Sequence, residues 1–324
     1  GLLLVLVLTA AALMIGLRYR VGGDWHHYEL LYAYISALDF GETLTIPNSD
    51  PGYSVINWLG QLLGLRIWFV NLACAVIFIW GLAKLAAQQP QPWLFFLTAT
   101  SYGLVVVGMG YTRQSVAIAL IAAALASFRN RGTAGAAFYV ILAALFHKSA
   151  IVMLPLIALA ERKSPIVNVL FGAALAALLY YFLLAPTSSH LFENYIGAQL
   201  QSQGAGVRVA MTLLPTVCFF LMHRRMGFDA REVALWRTMA FAGIAVGISL
   251  ALVPSSTAVD RLNLYLIPFQ SVVLSRLPLT QLDRRSELVI RAAVIAYSAC
   301  VLFVWLNYAV NARLWLPYRL YPLA

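Results

Sequence analysis

The chain has 324 residues, 62% of them hydrophobic and only 10% charged, with a mean hydropathy of +0.82. A soluble domain would carry about 25% charged residues, so this composition leaves too little polar surface to cover a globule in water. The net charge of +10 is spread in small clusters between apolar runs rather than gathered in one patch, which argues against a nucleic-acid partner.

Eleven hydrophobic segments are predicted in chain order, near 1–17, 65–86, 92–111, 114–128, 133–147, 148–160, 165–186, 206–223, 233–254, 261–279 and 287–310. They continue to the C-terminus, so a signal peptide does not explain them. The fold expected is all-α, a polytopic membrane helical bundle forming one integral membrane domain with no internal repeat. The chain begins inside an apolar run at Gly1, so residues preceding it are expected. Segments 133–147 and 148–160 are short for a hydrocarbon core that needs roughly 20 helical residues. Arg129 and Arg131 precede them, and Glu161, Arg162 and Lys163 follow. Two basic clusters on one side require an even number of passes, so a pair of short passes or a re-entrant hairpin is predicted.

With that parity, 13 of the 22 Lys and Arg fall on one side and 9 on the other. The richer side is predicted to be cytoplasmic, with the N-terminus inside and the C-terminus outside. Two longer outer segments, 18–64 and 187–205, are expected to be extracytoplasmic. The second centres on His190, Glu193 and Tyr195. The outer charges are unusual in their placement. Arg113, Lys148, Arg208 and Arg261 lie at the edges of apolar runs, where a charge is costly unless it meets water or a partner. An outward-facing cavity lined with cations is the expectation.

Candidate chemistry begins just past the first segment, at Arg20-Val21-Gly22-Gly23-Asp24. Asp24 suits a general base taking a proton from a sugar hydroxyl. It also suits a loop ion pair with Arg20, or the cap of a following helix. Asp50-Pro51-Gly52-Tyr53 reads as a turn opening an amphipathic helix, and Asp50 and Tyr53 are also candidates to line a site. Tyr111-Thr112-Arg113-Gln114 puts a cation at a membrane edge against the positive-inside trend, which favours anion binding over a snorkelling anchor. Phe146-His147-Lys148-Ser149 places an imidazole beside an ammonium at a helix break. Gly204-Ala205-Gly206-Val207-Arg208 and Asp260-Arg261-Leu262-Asn263 each open a span with a cation. Asp260 is a candidate ion-pair partner for Arg261. Trp315 and Tyr318, after the last span, also fit an interfacial aromatic belt. Cys74, Cys218 and Cys300 are isolated, without metal spacing, and read as packing residues. Three arginines at one face suit a diphosphate, whose oxygens the guanidinium fork binds. No D-x-D motif or acidic cluster points to a divalent metal, and no cofactor is expected.

These motifs, in this order, resemble the EpsG family, bacterial membrane proteins related to Wzy-type polysaccharide polymerases and GT-C class glycosyltransferases. The matching elements are Arg20-x-Gly22-Gly23-Asp24-x-x-x-Tyr28, Pro51-Gly52-Tyr53-x-x-x-Asn57, Arg113-Gln114-x-x-Ala117 and Phe146-His147-x-Ser149-Ala150. They continue with Arg208, Asp260-Arg261-Leu262-x-x-Tyr265 and Trp315-x-Pro317-Tyr318, and cover nearly the whole chain. Asp50 departs from the Glu expected before Pro51. The resemblance implies a GT-C-like bundle in the bacterial cytoplasmic (inner) membrane with its active site facing outward. It implies transfer of a sugar chain from a polyprenyl-diphosphate-linked donor to an acceptor oligosaccharide hydroxyl, alongside other polysaccharide assembly and export proteins. Asp24 or His147 would then be the base, and Arg113, Arg208 and Arg261 would hold the diphosphate. Arg20, Tyr28, Asp50, Tyr53, Gln114, Lys148, Asp260, Trp315 and Tyr318 would support them. A transporter or flippase of lipid-linked saccharides would also want an arginine-lined cavity, though usually with repeats or midplane helix breaks. A membrane O-acyltransferase using His147 is a third reading.

Overall fold

The computed structural model describes residues 2–47, 49–161, 170, 202–253, 255–321 and 323. Those residues are helical throughout, apart from turns and an isolated antiparallel bridge between Arg18 and Leu320. Helix α1 spans Leu2–Gly16. The 18–64 segment then folds as three short helices, α2 (Trp25–Ile35), α3 (Phe40–Leu44) and α4 (Pro51–Leu62). Asp39 and Glu42 close a reciprocal capping box on α3. Pro51 starts α4 at a position where its missing N–H costs nothing.

Helix α5 (Arg66–Ala86) packs between α1 and the long α7 (Thr112–Phe146). Between them, α6 (Pro92–Ala99) runs on as a π-helix over Thr100–Gly108, a rare geometry that is frequent at functional sites. The first part of α7 is the axis of the bundle, and every residue from Gln114 to Phe128 is buried. Its alanine-rich face lets neighbouring helices approach closely, as membrane interfaces favour. After a 3-10 turn at Lys148–Val152 comes α8 (Met153–Leu159). The chain continues through α9 (Ala205–Met222), α10 (Ala230–Leu252), α11 (Ser256–Asn263), α12 (Ile267–Arg276) and α13 (Arg284–Tyr308). Only Val294 and Ser298 are buried on α13, and its other faces present Val289, Ile295 and Phe303 outward. An apolar helix exposed on most sides suits lipid as its solvent.

Four of the described helices are long and apolar enough to cross a membrane: Arg66–Ala86, Ala205–Arg225, Ala230–Leu252 and Arg284–Tyr308. The architecture is that of a membrane helical bundle. Several predicted spans are shorter or interrupted. The 261–279 segment starts earlier, at Ser256, and is divided by a 3-10 turn at Leu264–Leu266. The predicted span 165–186 and most of 187–205, including His190, Glu193 and Tyr195, lie outside the described residues.

The 133–160 region turns back on itself. Gly132 breaks α7 with φ 60° and ψ −157°, a conformation essentially confined to glycine. His147 breaks the chain again in an extended conformation. The Thr133 amide then donates to the Glu161 carboxylate at 3.1 Å, so the two ends of the 133–161 stretch meet. His147 stands at the tip of a hairpin whose ascending arm, Thr133–Phe146, is about 21 Å long.

Charges collect at the two ends of the bundle. At one end Arg129 pairs with Asp229 at 3.4 Å. The buried Arg276 there meets Glu232 at 3.1 Å and the Gln89 side-chain oxygen at 2.9 Å. The first part of α7 runs from the opposite end to this one, about 29 Å from Thr112 to Arg131. That opposite end holds the candidate site.

Candidate active site

The turn after α1 is fixed from three directions. Arg18 is 1% exposed and donates to the carbonyls of Ile15 (2.6 Å) and Val21 (3.2 Å), to Thr112 Oγ1 (2.7 Å) and to Asn71 Oδ1 (3.3 Å). One guanidinium therefore ties the end of α1 to α5 and to the start of α7, with its charge spread over neutral acceptors. Gly22 has φ +108° and donates to the Leu314 carbonyl at 2.9 Å, while a Cβ there would collide with the Met109 carbonyl. The C-terminal segment completes the seat: Tyr19 donates to the Arg319 carbonyl at 2.9 Å, and Tyr318 Oη donates to the Met14 carbonyl at 2.7 Å.

Asp24 leaves this turn half-buried. It occupies the N-cap position of α2 but accepts no capping hydrogen bond. Arg20 does not pair with it either, and instead lies 5.2 Å from the Tyr19 ring. The cap position is realised through the backbone, where the Tyr28 N–H donates to the Asp24 carbonyl at 3.0 Å, while the side chain takes up neither structural role. Among the described residues its carboxylate has no ion-pair or side-chain hydrogen-bond partner. Burial raises its pKa, against the pull of the Arg261, Arg113 and His27 charges.

Arg113, in the first turn of α7, binds the buried Asp50 at 2.8 Å and lies 5.9 Å from the Tyr28 ring. Burial raises the Asp50 pKa, outweighing Arg113 and Lys148. Tyr28 packs on Tyr53 with ring centroids 5.4 Å apart, and both are buried. At the hairpin tip, His147 Nδ1 lies 2.8 Å from Ser149 Oγ and 3.2 Å from Tyr265 Oη. Ser149 and Tyr265 are themselves 3.0 Å apart. This triangle fixes the ring and leaves Nε2 as the nitrogen available to a ligand.

Arg261 is differently placed from the other two arginines. Gln114 donates to its backbone carbonyl at 2.7 Å, and its guanidinium lies 5.8 Å from the Tyr111 ring. Among the described residues no carboxylate pairs with it. Asp260 is not its partner, contrary to the sequence expectation, because consecutive helical residues point to different faces. Asp260 instead clamps Arg208 through two bonds, Nε to Oδ1 at 2.5 Å and Nη2 to Oδ2 at 2.8 Å. Ser202 Oγ donates to the same carboxylate at 2.8 Å. Asn263 Nδ2 donates to the Arg208 carbonyl at 3.1 Å and Thr212 Oγ1 to Asn263 Oδ1 at 2.6 Å, which sets α9 against α11.

Beside this cluster a cavity of about 900 Å³ opens between α9 and α13. Tyr102, Tyr111, Arg208 and Trp315 line it. Asp24, Arg113, Arg261 and His147 do not, although the Asp24 and Arg261 charges act on Tyr111 in its wall. Trp315 is held by its indole N–H on the Val105 carbonyl of the π-helix, at 2.9 Å. Its place in the wall of a cavity replaces the aromatic-belt reading. Among the described residues no group of three His, Cys, Asp or Glu is gathered to hold a metal ion.

The protein-family model described as the EpsG family matches residues 1–320, almost the entire chain. The chain belongs to the EpsG family. No curated protein and no solved structure matches it. Membership identifies it as a membrane protein of exopolysaccharide-polymerase type.

In this EpsG member the structure brings Asp24, Arg113, Arg261 and His147 into one electrostatic neighbourhood, with Arg208 and Asp260 alongside it through Tyr111. Asp50 and Tyr28 lie against Arg113, Tyr53 packs on Tyr28, Gln114 holds the Arg261 carbonyl, and Lys148 lies near Asp50. Tyr318 stays outside and secures the chain around the Asp24 turn, and Arg20 lies against the Tyr19 ring. Sequence reasoning overlooked Arg18 as a site-building residue. Its signal was available, because Arg18 follows an apolar run as Arg113 does. Ser202 was also missed, and a lone serine in a polar loop carries no such signal.

Proposed function

We propose that this EpsG member is a metal-independent glycosyltransferase acting as a polysaccharide polymerase on the extracytoplasmic face of the bacterial cytoplasmic membrane. Its donor is a sugar chain on polyprenyl diphosphate, and its acceptor is a hydroxyl of a second lipid-linked oligosaccharide. In this reading the chain crosses the bilayer eleven times in a GT-C-like bundle, with the N-terminus inside and the C-terminus outside. The observation that carries the reading is the electrostatic proximity of two charges that have no ion-pair partner among the described residues, the Asp24 carboxylate and the Arg261 guanidinium.

The acceptor oxygen attacks the anomeric carbon as the bond from that carbon to the diphosphate oxygen breaks. Asp24 takes the acceptor proton, and polyprenyl diphosphate leaves with the bonding electron pair. Arg261 meets the developing negative charge directly, whereas Arg113 and Arg208 exchange part of their bonding with Asp50 and Asp260 for phosphate oxygens. Fixed cations at a leaving group act most strongly where water is excluded. His147 Nε2 orients the acceptor hydroxyl, since its Nδ1 is already engaged. General-base removal costs roughly 10²- to 10⁴-fold in rate. Polymer formation by purified protein should therefore fall by that order in Asp24→Asn, with a smaller loss in His147→Ala. Full activity in both variants would remove the assignment.

A further inference from the structure

The cavity beside Arg208 is shaped by two single helix faces. On α9 it is lined by Val207, Met211 and Leu214, which recur at the spacing of one helical stripe. On α13 it is lined by Tyr297, Val301 and Val304, a matching stripe. From Tyr297 to Tyr308 the α13 wall is about 16 Å long. The two helices run antiparallel here, because the start of α9 and the end of α13 share the Arg208 level. The trough therefore descends along the bundle from a cationic mouth into an apolar interior. Arg208, Ser202 and the Asp260 carboxylate close its upper end. At its lower end the buried Tyr297 hydroxyl has no hydrogen-bond partner among the described residues.

From this geometry we infer that the α9/α13 trough is the berth of the isoprenoid chain of the lipid-linked diphosphate, with the diphosphate at Arg208 and the sugar directed past Tyr111 toward Asp24. The inference rests on the transferase reading and adds to it the path by which the lipid reaches the site. A polyprenyl diphosphate is amphipathic in the same sense as the trough: several negative charges at one end, a long branched hydrocarbon at the other. The isoprenoid reaches this wall from hydrocarbon rather than from water, so the trough holds it by van der Waals packing and shape. Asp260 keeps Arg208 neutralised while the trough is empty, which avoids an unpaired guanidinium at the membrane edge. The arriving diphosphate then competes with Asp260 for the same fork. Sites on the two sides of Tyr111 thereby acquire different tasks: the Arg208 side takes the donor lipid, and the Asp24 side takes the acceptor hydroxyl.

The test uses the full chain in detergent with a long-chain polyprenyl diphosphate carrying a benzophenone part-way along its isoprenoid chain. Cross-linked peptides should map to α9 and α13. Labelling should fall at least fivefold in Met211→Trp and Val301→Trp, which fill the trough, and persist in Val289→Trp, an exposed position of the same helix as Val301 outside the trough. Excess unlabelled polyprenyl phosphate should suppress labelling, and phosphatidylglycerol should not. Labels on other helices, undiminished labelling in both tryptophan variants, or equal competition by phosphatidylglycerol would overturn the inference. Because labelling needs no turnover, trough labelling without glycosidic bond formation by the unsubstituted protein would instead count against the transferase reading.

Discussion

At Asp24, burial disfavours the carboxylate while Arg261, Arg113 and His27 favour it, and burial prevails. The carboxyl therefore titrates above the ordinary range near 4. A base acts only when deprotonated, so the rate should climb with pH through that raised value and level off above it. Arg261 is the strongest of the three opposing charges. Replacing it as Arg261→Gln should lift the Asp24 pKa further and move the acid limb of the kcat/KM profile to higher pH. The limb's position is separable from any loss of diphosphate binding, which lowers the whole profile. An unmoved limb in Arg261→Gln would detach Asp24 from the acid-side titration. What the sequence disclosed at this scale was residue type at a membrane edge, not partnership. Arg113, Arg208 and Arg261 looked alike as edge arginines. Only tertiary contacts distinguish the two held by Asp50 and Asp260 from the third, and which carboxylate reaches which cation depends on rotation about each helix.

Among the elements, the 133–161 hairpin was legible from charge parity alone. Arg129, Arg131 and the Glu161-Arg162-Lys163 cluster demanded an even number of passes, and Thr133 and Glu161 do meet. The break at Gly132 falls between the predicted 114–128 and 133–147 segments, so its place was legible, whereas its positive φ was not. Gly132→Ala should cost about 1–3 kcal/mol, since the residue is held in a glycine-only conformation. A Cβ there would also approach Glu161 Oε1 to 2.7 Å. Thermal unfolding in detergent should show the loss as a lower Tm, with activity reduced as His147 shifts at the far end. An unchanged Tm would mean that this turn does not set the hairpin. In the 18–64 segment the sequence exposed α4, whose apolar residues share one face, and left α2 and α3 unread. The aromatic and histidine residues of Trp25–Ile35 make no clean apolar stripe, and α3 is a single turn fixed by its caps.

Over the whole molecule, segments far apart in the chain are assembled at one end of the bundle: the turn after α1, the start of α7, the hairpin tip, the start of α9, and α11. Their ordered motifs were visible in the sequence, and so was the expectation that they converge. A cation-lined cavity was expected too, but not its walls, which are facing stripes of α9 and α13; of the four edge cations Arg208 lines it and the other three do not. Convergence explains why costly charges persist at that end. Each is either paired across helices, as Arg113–Asp50 and Arg208–Asp260 are, or has no ion-pair partner among the described residues, as with Asp24 and Arg261. The most direct test is a density map of the protein bound to a non-transferable lipid-diphosphate sugar. The diphosphate should lie within hydrogen-bonding distance of Arg261 and Arg208. The anomeric carbon should face the Asp24 side, leaving room for an acceptor oxygen at about 3–3.5 Å. A diphosphate seated away from both arginines, or a sugar turned away from Asp24, would contradict the account.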